Sequence, residues 1–198
     1  MPKLLREYEP LQYDKRLIKE SVEHGKPITL SGVLQRADVK NQNGRKYPRE
    51  ILEREVQNYQ KQIAERVSVG QLDHPVDSVI NLSDACHIIT DLHWEGQDVV
   101  GTLEVLPTPK GNIVKQLLEA GVKIGISSRA VGETKKDTEG CDVVTDSLQL
   151  VCWDIVSAPS VDNAWLSIKE ARDLSLSETP KKYRVNKLLD EILTLRHK

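Results

Sequence analysis

The feature that most constrains this chain is its punctuation: between Val67 and Val156, short β-type runs succeed one another through tight turns, without regular strand-helix alternation. Val67 to Leu72 and Cys86 to Trp94 read as strands, Glu95-Gly96-Gln97-Asp98 reads as a hairpin turn, and Val99 to Leu106 reads as the returning strand, closed by Pro107 and Pro109. Val122 to Val131 is another strand, Lys135 to Gly140 a charged turn, and Val143 to Val156 one long strand or two. Hairpin links favour antiparallel pairing, so the expected fold is α+β, an antiparallel, barrel-like β core flanked by helices.

The helices are fewer. Pro48 sits at a preferred first-turn position, and Leu52, Val56, Tyr59 and Ile63 recur on one helical face. A second helix is expected from about Asn112, with Ile113, Val114, Leu117 and Leu118 on one face and Gly121 as its stop. Upstream, Ile28, Leu30 and Val33 suggest a strand, and Asn41 to Gly44 a loop. The domain reading is an N-terminal arm over 1–26, one domain over 27–167, and a linker with an amphipathic tail over 168–198. That tail carries Val185, Leu188, Leu189, Ile192 and Leu193 on one helical face. A chain of 198 residues supports one sizeable core, and with no phenylalanine that core is aliphatic.

Charge excludes one class of partner. The 28 basic and 30 acidic residues are interspersed, leaving a net charge of −2 and no block suited to nucleic-acid phosphates. No stretch is apolar for long enough to cross a membrane, and Met1 to Pro10 has no apolar signal region, so the expected location is cytosolic. The three cysteines, Cys86, Cys141 and Cys152, form no C-x-x-C pair and indicate neither a disulfide framework nor a zinc site.

Two segments carry candidate chemistry: Gly70-Gln71-Leu72-Asp73-His74-Pro75 and Gly125-Ile126-Ser127-Ser128-Arg129-Ala130. A serine attacks at neutral pH when a histidine takes its proton, and a carboxylate behind that histidine fixes its tautomer. Asp73, Asp77, Asp91 and Asp154 are all available for the third role, and spacing does not choose among them. A rival reading makes His74, Asp73 and Asp77 a metal-dependent hydrolase site. His87 and His93, six apart in one strand, would share a face but lie roughly 20 Å apart, too far to hold one ion together.

A wider pattern runs through Asn43, Arg45, Tyr47 and Pro48; Gly70, Leu72, His74 and Pro75; and Asp91, Trp94, Gly96, Asp98, Val99 and Gly101. It continues with Ala120, Gly121, Gly125, Ser127, Ser128 and Arg129, and closes with Asp154, Val156, Pro159, Ser160, Ala164 and Trp165. The combined pattern resembles the prohead core proteases of large contractile-tailed phages. Ala130 departs from it, standing where glycine is common.

The resemblance implies a fold similar to the herpesvirus maturation protease and a serine endopeptidase needing no cofactor. His74 would be the general base, Ser127 the nucleophile and Asp154 the third member, with Arg129 and Ser128 supporting the oxyanion site. It also implies a homo-oligomer inside the assembling prohead, in the cytoplasm of the infected host, with scaffold, core and major capsid proteins as substrates. Cleavage would follow glutamate in Leu-x-Glu or Ile-x-Glu, which makes Glu178 and Glu7 candidate self-cleavage sites, both expected to be exposed. A non-catalytic assembly protein with a protease-like fold is the alternative.

Overall fold

A computed structural model describes residues 2–75 and 78–157, which belong to a compact unit spanning residues 1–158. The expected boundary at residue 167 and the tail helix lie outside the described residues. The architecture is mixed α+β with mostly antiparallel sheets and three α-helices.

Three sheets carry the strands. In the first, β1 (Lys3–Pro10), β7 (Ile124–Gly132) and β10 (Gln149–Ser157) lie in that order, so β7 is the middle strand. The second runs β2 (Thr29–Arg36), β6 (Asp98–Val105), β5 (Ala85–Glu95) and β4 (Val69–Gln71). A small third sheet joins β3 (Arg45–Lys46), β9 (Asp142–Val144) and β8 (Thr134–Lys136). The described strands thus form open sheets without closing into one barrel.

Helix α2 (Arg49–Ala64) follows Pro48 and buries Leu52, Val56 and Tyr59, the expected face. Helix α3 (Pro109–Ala120) begins three residues earlier than the sequence suggests. Pro109 opens this helix as well as following the strand: the Thr108 side chain accepts from Gly111 N and caps the helix, and Pro109 occupies its first turn. Gly121 ends α3 at φ +83°, the left-handed stop.

The segment 1–26 is not an arm. It contains β1 and α1 (Lys15–Glu23), with Leu5 and Ile18 buried in the core. Charged residues conceal β1 in the sequence, because Glu7 is buried beside Leu5 and only 4% exposed. The core is centred on Trp153, whose indole N–H reaches Leu34 O and whose ring meets Tyr59 edge-on at 4.9 Å between centroids. Both belong to one buried cluster with aliphatic residues from the two larger sheets.

A bulge between Ile89 and Asp91 corrects the expectation for the histidines of β5. It breaks the two-residue alternation, so His87 is fully buried while His93 is exposed, hydrogen-bonded to Asp91 and Glu95.

Candidate active site

Strand β7 places Ser127 between two neighbours, Tyr8 of β1 and Asp154 of β10, each directly opposite it in register. Directly opposed residues share a face, so Tyr8, Ser127 and Asp154 lie on one side of this sheet. Ser128 falls on the other side, in register with Glu7 and Trp153, and is buried.

His74 reaches the same face from the end of β4. Leu72 bridges to Ile155 on the outer edge of β10, and Asp73 N donates to Ile155 O at 2.8 Å. Asp73 then adopts φ +63°, turning the chain over the sheet. Pro75 continues this strap, and its carbonyl accepts from Arg6 Nη2 of β1.

The approach is close at Gly70. A Cβ there would lie 2.1 Å from Trp153 O and 2.2 Å from His87 Cε1, so only glycine lets β4 pack so near β10.

The result is a linear relay. His74 Nδ1 lies 2.8 Å from Asp154 Oδ2, and His74 Nε2 lies 2.7 Å from Ser127 Oγ. A carboxylate can only accept, so Nδ1 carries the proton and Nε2 is left to accept from the serine hydroxyl. Asp154 and Ser127 have no exposed surface, and the His74 side chain is 8% exposed.

Asp154 is over-determined. Its Oδ1 accepts from Gln71 N at 3.0 Å, from Arg129 Nη2 at 3.2 Å and from Cys152 Sγ at 3.3 Å, while Arg129 Nε lies 2.9 Å from Oδ2. Burial pushes its pKa up, but the His74 hydrogen bond, the Arg129 charge and the Gln71 N–H outweigh that and hold the carboxyl below its ordinary range. It stays ionised beside the imidazole.

A profile of prohead core protein serine proteases matches residues 11–175. The chain belongs to that family. It is 33% identical over 155 residues to the prohead core protein protease of Enterobacteria phage T4, covering 76% of this chain and 73% of that protein. Its structure is similar to that of the bacteriophage T4 capsid assembly protease at TM-score 0.68 and 26% identity, over 80% of this chain and 99% of the other. This is therefore a serine protease of phage capsid assembly, and β1 precedes the part matched by the family profile.

Within this prohead protease, the other residues expected at the site take different places. The Arg129 side chain is committed to Asp154. Its guanidinium is fully buried behind Asp154, where it also donates to Gln71 Oε1 at 2.7 Å and Val79 O at 3.0 Å. Ser128 Oγ lies on the face opposite Ser127 and has no hydrogen-bond partner among the described residues.

Of the competing acids, Asp73 is exposed and engages Ile155 through its backbone, Asp91 pairs with His93, and Asp77 lies outside the described residues. Glu7 is not exposed as expected. It is buried and faces Asn43, Arg45 and Tyr47, and Glu178 lies outside the described residues.

Sequence reasoning missed Gln71, which touches both Asp154 and Arg129. Its signal lay in the Gly70 to Pro75 block, three residues before the histidine. No pattern in β1 marked its adjacency to Ser127, because that contact is made over more than a hundred residues of sequence.

Proposed function

We propose that Ser127, His74 and Asp154 form the catalytic triad of this capsid-assembly protease. The observation that supports the assignment is the continuous Asp154–His74–Ser127 relay at 2.8 and 2.7 Å. His74 Nε2 takes the Ser127 proton as Oγ attacks the scissile carbonyl, then returns it to the leaving amine. Water repeats the sequence on the acyl-enzyme, and Asp154, held by Arg129 and Gln71, stabilises the imidazolium in both halves.

Substrates are prohead scaffold, core and major capsid proteins, cut after glutamate in Leu-x-Glu or Ile-x-Glu, together with the protease's own tail after Glu178. The T4 relatives support a prohead location inside the infected cell. The order of histidine before serine, on a mostly antiparallel scaffold, supports the kinship with the herpesvirus maturation protease.

The test is to incubate the purified chain with its capsid scaffold and map new termini by mass spectrometry. Wild type should generate ends after glutamate and lose its tail after Glu178. Ser127→Ala should generate none, and equal cutting by both chains would defeat the assignment.

A further inference from the structure

Two observations about β1 point the same way. Its register sets Glu7 opposite Ser128 and Tyr8 opposite Ser127, so the Glu7–Tyr8 peptide bond runs directly beside the Ser127 backbone. Peptide groups of a paired strand lie roughly in the sheet. Ser127 Oγ stands off that plane on the His74 side, the direction from which a hydroxyl attacks a carbonyl.

The second observation is what holds Glu7. Tyr47 Oη donates to Oε1 at 2.7 Å, Arg45 Nε lies 2.7 Å from the same oxygen, and Asn43 Nδ2 donates to Oε2 at 2.7 Å. Asn43 and Arg45 also donate to the carbonyl of Arg6, at 3.0 and 3.2 Å. This is a built carboxylate receptor reading one side chain and the main chain beside it. Leu5, two residues earlier on the same face, is buried in the core at 2% exposed, while Arg6 between them turns to the catalytic face.

We infer that β1 lies in the substrate channel as a substrate strand, and that Asn43, Arg45 and Tyr47 are the pocket that reads the glutamate before the scissile bond. The inference rests on the proposed protease reading and its Leu-x-Glu preference. Leu5-Arg6-Glu7 matches that pattern with leucine and glutamate each buried and the middle residue facing away from their pockets. Ser127 has no exposed surface, so an incoming peptide reaches it only after a neighbouring segment leaves. Strand β1, the edge neighbour of β7, is that segment.

Turnover in this arrangement vacates the channel. Ser127 Oγ attacks the Glu7 carbonyl carbon, its proton passes to His74 Nε2, and the Glu7–Tyr8 bond breaks with that proton going to the Tyr8 nitrogen. Water then releases Glu7 with a new carboxylate.

The experiment measures kcat/KM for two peptides differing only in Leu-x-Glu against Leu-x-Gln, with wild type, Glu7→Ala, Arg45→Gln and Tyr47→Phe. Full-length protein is used throughout, and Ser127→Ala is the blank. Glu7→Ala loosens β1 and should raise kcat/KM on the Glu peptide on the order of tenfold, the worth of a charge-assisted hydrogen bond. The Glu-over-Gln ratio should fall by a similar factor, about tenfold, in Arg45→Gln and in Tyr47→Phe. Being internal, that ratio does not depend on how much protein is folded or how often β1 vacates. A ratio unchanged in both variants overturns the pocket while leaving the protease reading intact. A Glu7→Ala chain that melts with wild type but cuts more slowly overturns the substrate-strand assignment. A wild type that cuts neither peptide while still processing scaffold overturns it too, and one that processes nothing removes the protease reading beneath it.

Discussion

Asp154 and Glu7 are both buried carboxylates on the strands flanking β7, and each faces an arginine, yet their surroundings drive them in opposite directions. Asp154 is held below its ordinary range because His74, Arg129 and a backbone N–H together overcome burial. Glu7 is raised, since burial outweighs the Arg45 charge and the hydrogen bonds from Asn43 and Tyr47. The difference lies in what does the holding. Asp154 is fixed by main chain and by a guanidinium with no exposed surface, whereas Glu7 is gripped by three side chains of one short segment whose arginine is 19% exposed. One carboxylate is built into its place, and the other sits in a place that could take a carboxylate from elsewhere.

The sharpest way to break that contrast is catalytic. Asp154→Asn should lower kcat by about 10⁴, because the amide no longer enforces the Nδ1–H tautomer of His74. Glu7→Gln should leave kcat undiminished in a peptide assay. A comparable loss in both would erase the distinction.

Stability gives the next largest effect. Arg129→Met removes the buried cation paired with Asp154, which should cost about 3–5 kcal/mol in denaturant unfolding. Arg45→Gln, at a partly solvated site, should cost less, and the reverse order would show that Glu7 is the more deeply held group.

Gly70→Ala probes the main-chain side of the same comparison. The added methyl meets Trp153 O, forcing β4 away from β10 and drawing the Gln71 N–H off Asp154. A loss of about 1–3 kcal/mol is expected, with reduced turnover, and unchanged activity would show that this N–H is dispensable.

The smallest effect is the slope of stability with pH. Glu7 has a raised folded pKa, so it adds stability at low pH that is lost as pH rises through that value, and Glu7→Gln should remove the slope. Asp154, with a lowered folded pKa, adds stability above its unfolded range that disappears as pH falls through the folded value. Unfolding midpoints measured across acid pH should show the two trends with opposite signs.

Much of this was visible in the residues. Proline and glycine punctuation located the hairpin at Glu95 to Asp98 and the stop at Gly121. Asp154 enters as third member through the resemblance, since spacing does not choose among the four acids. The failures share a cause. Strand β1 looked like a polar arm because its buried side of Leu5 and Glu7 includes a charge, whose partners lie some forty residues away and cannot be read from local pattern. The contact of Arg129 with Asp154 is hidden for a related reason: spacing shows that Arg129 follows the serine, but only the fold shows that its guanidinium reaches Asp154.

Strand β7 has one more consequence as the middle of a three-stranded sheet. With β1 gone, one side of β7 becomes an edge with a row of unpaired amide and carbonyl groups spanning about eight residues of β1 register, or roughly 25 Å at 3.3 Å per residue. An edge of that length is satisfied only by a chain that can lie extended along it. Helices and packed strands in a finished capsid domain cannot do so without local unfolding, while linkers and unstructured scaffold can. The sheet would thus discriminate by backbone pliability before any side chain is read, so that assembly itself, by folding segments away, would decide which glutamates remain within reach.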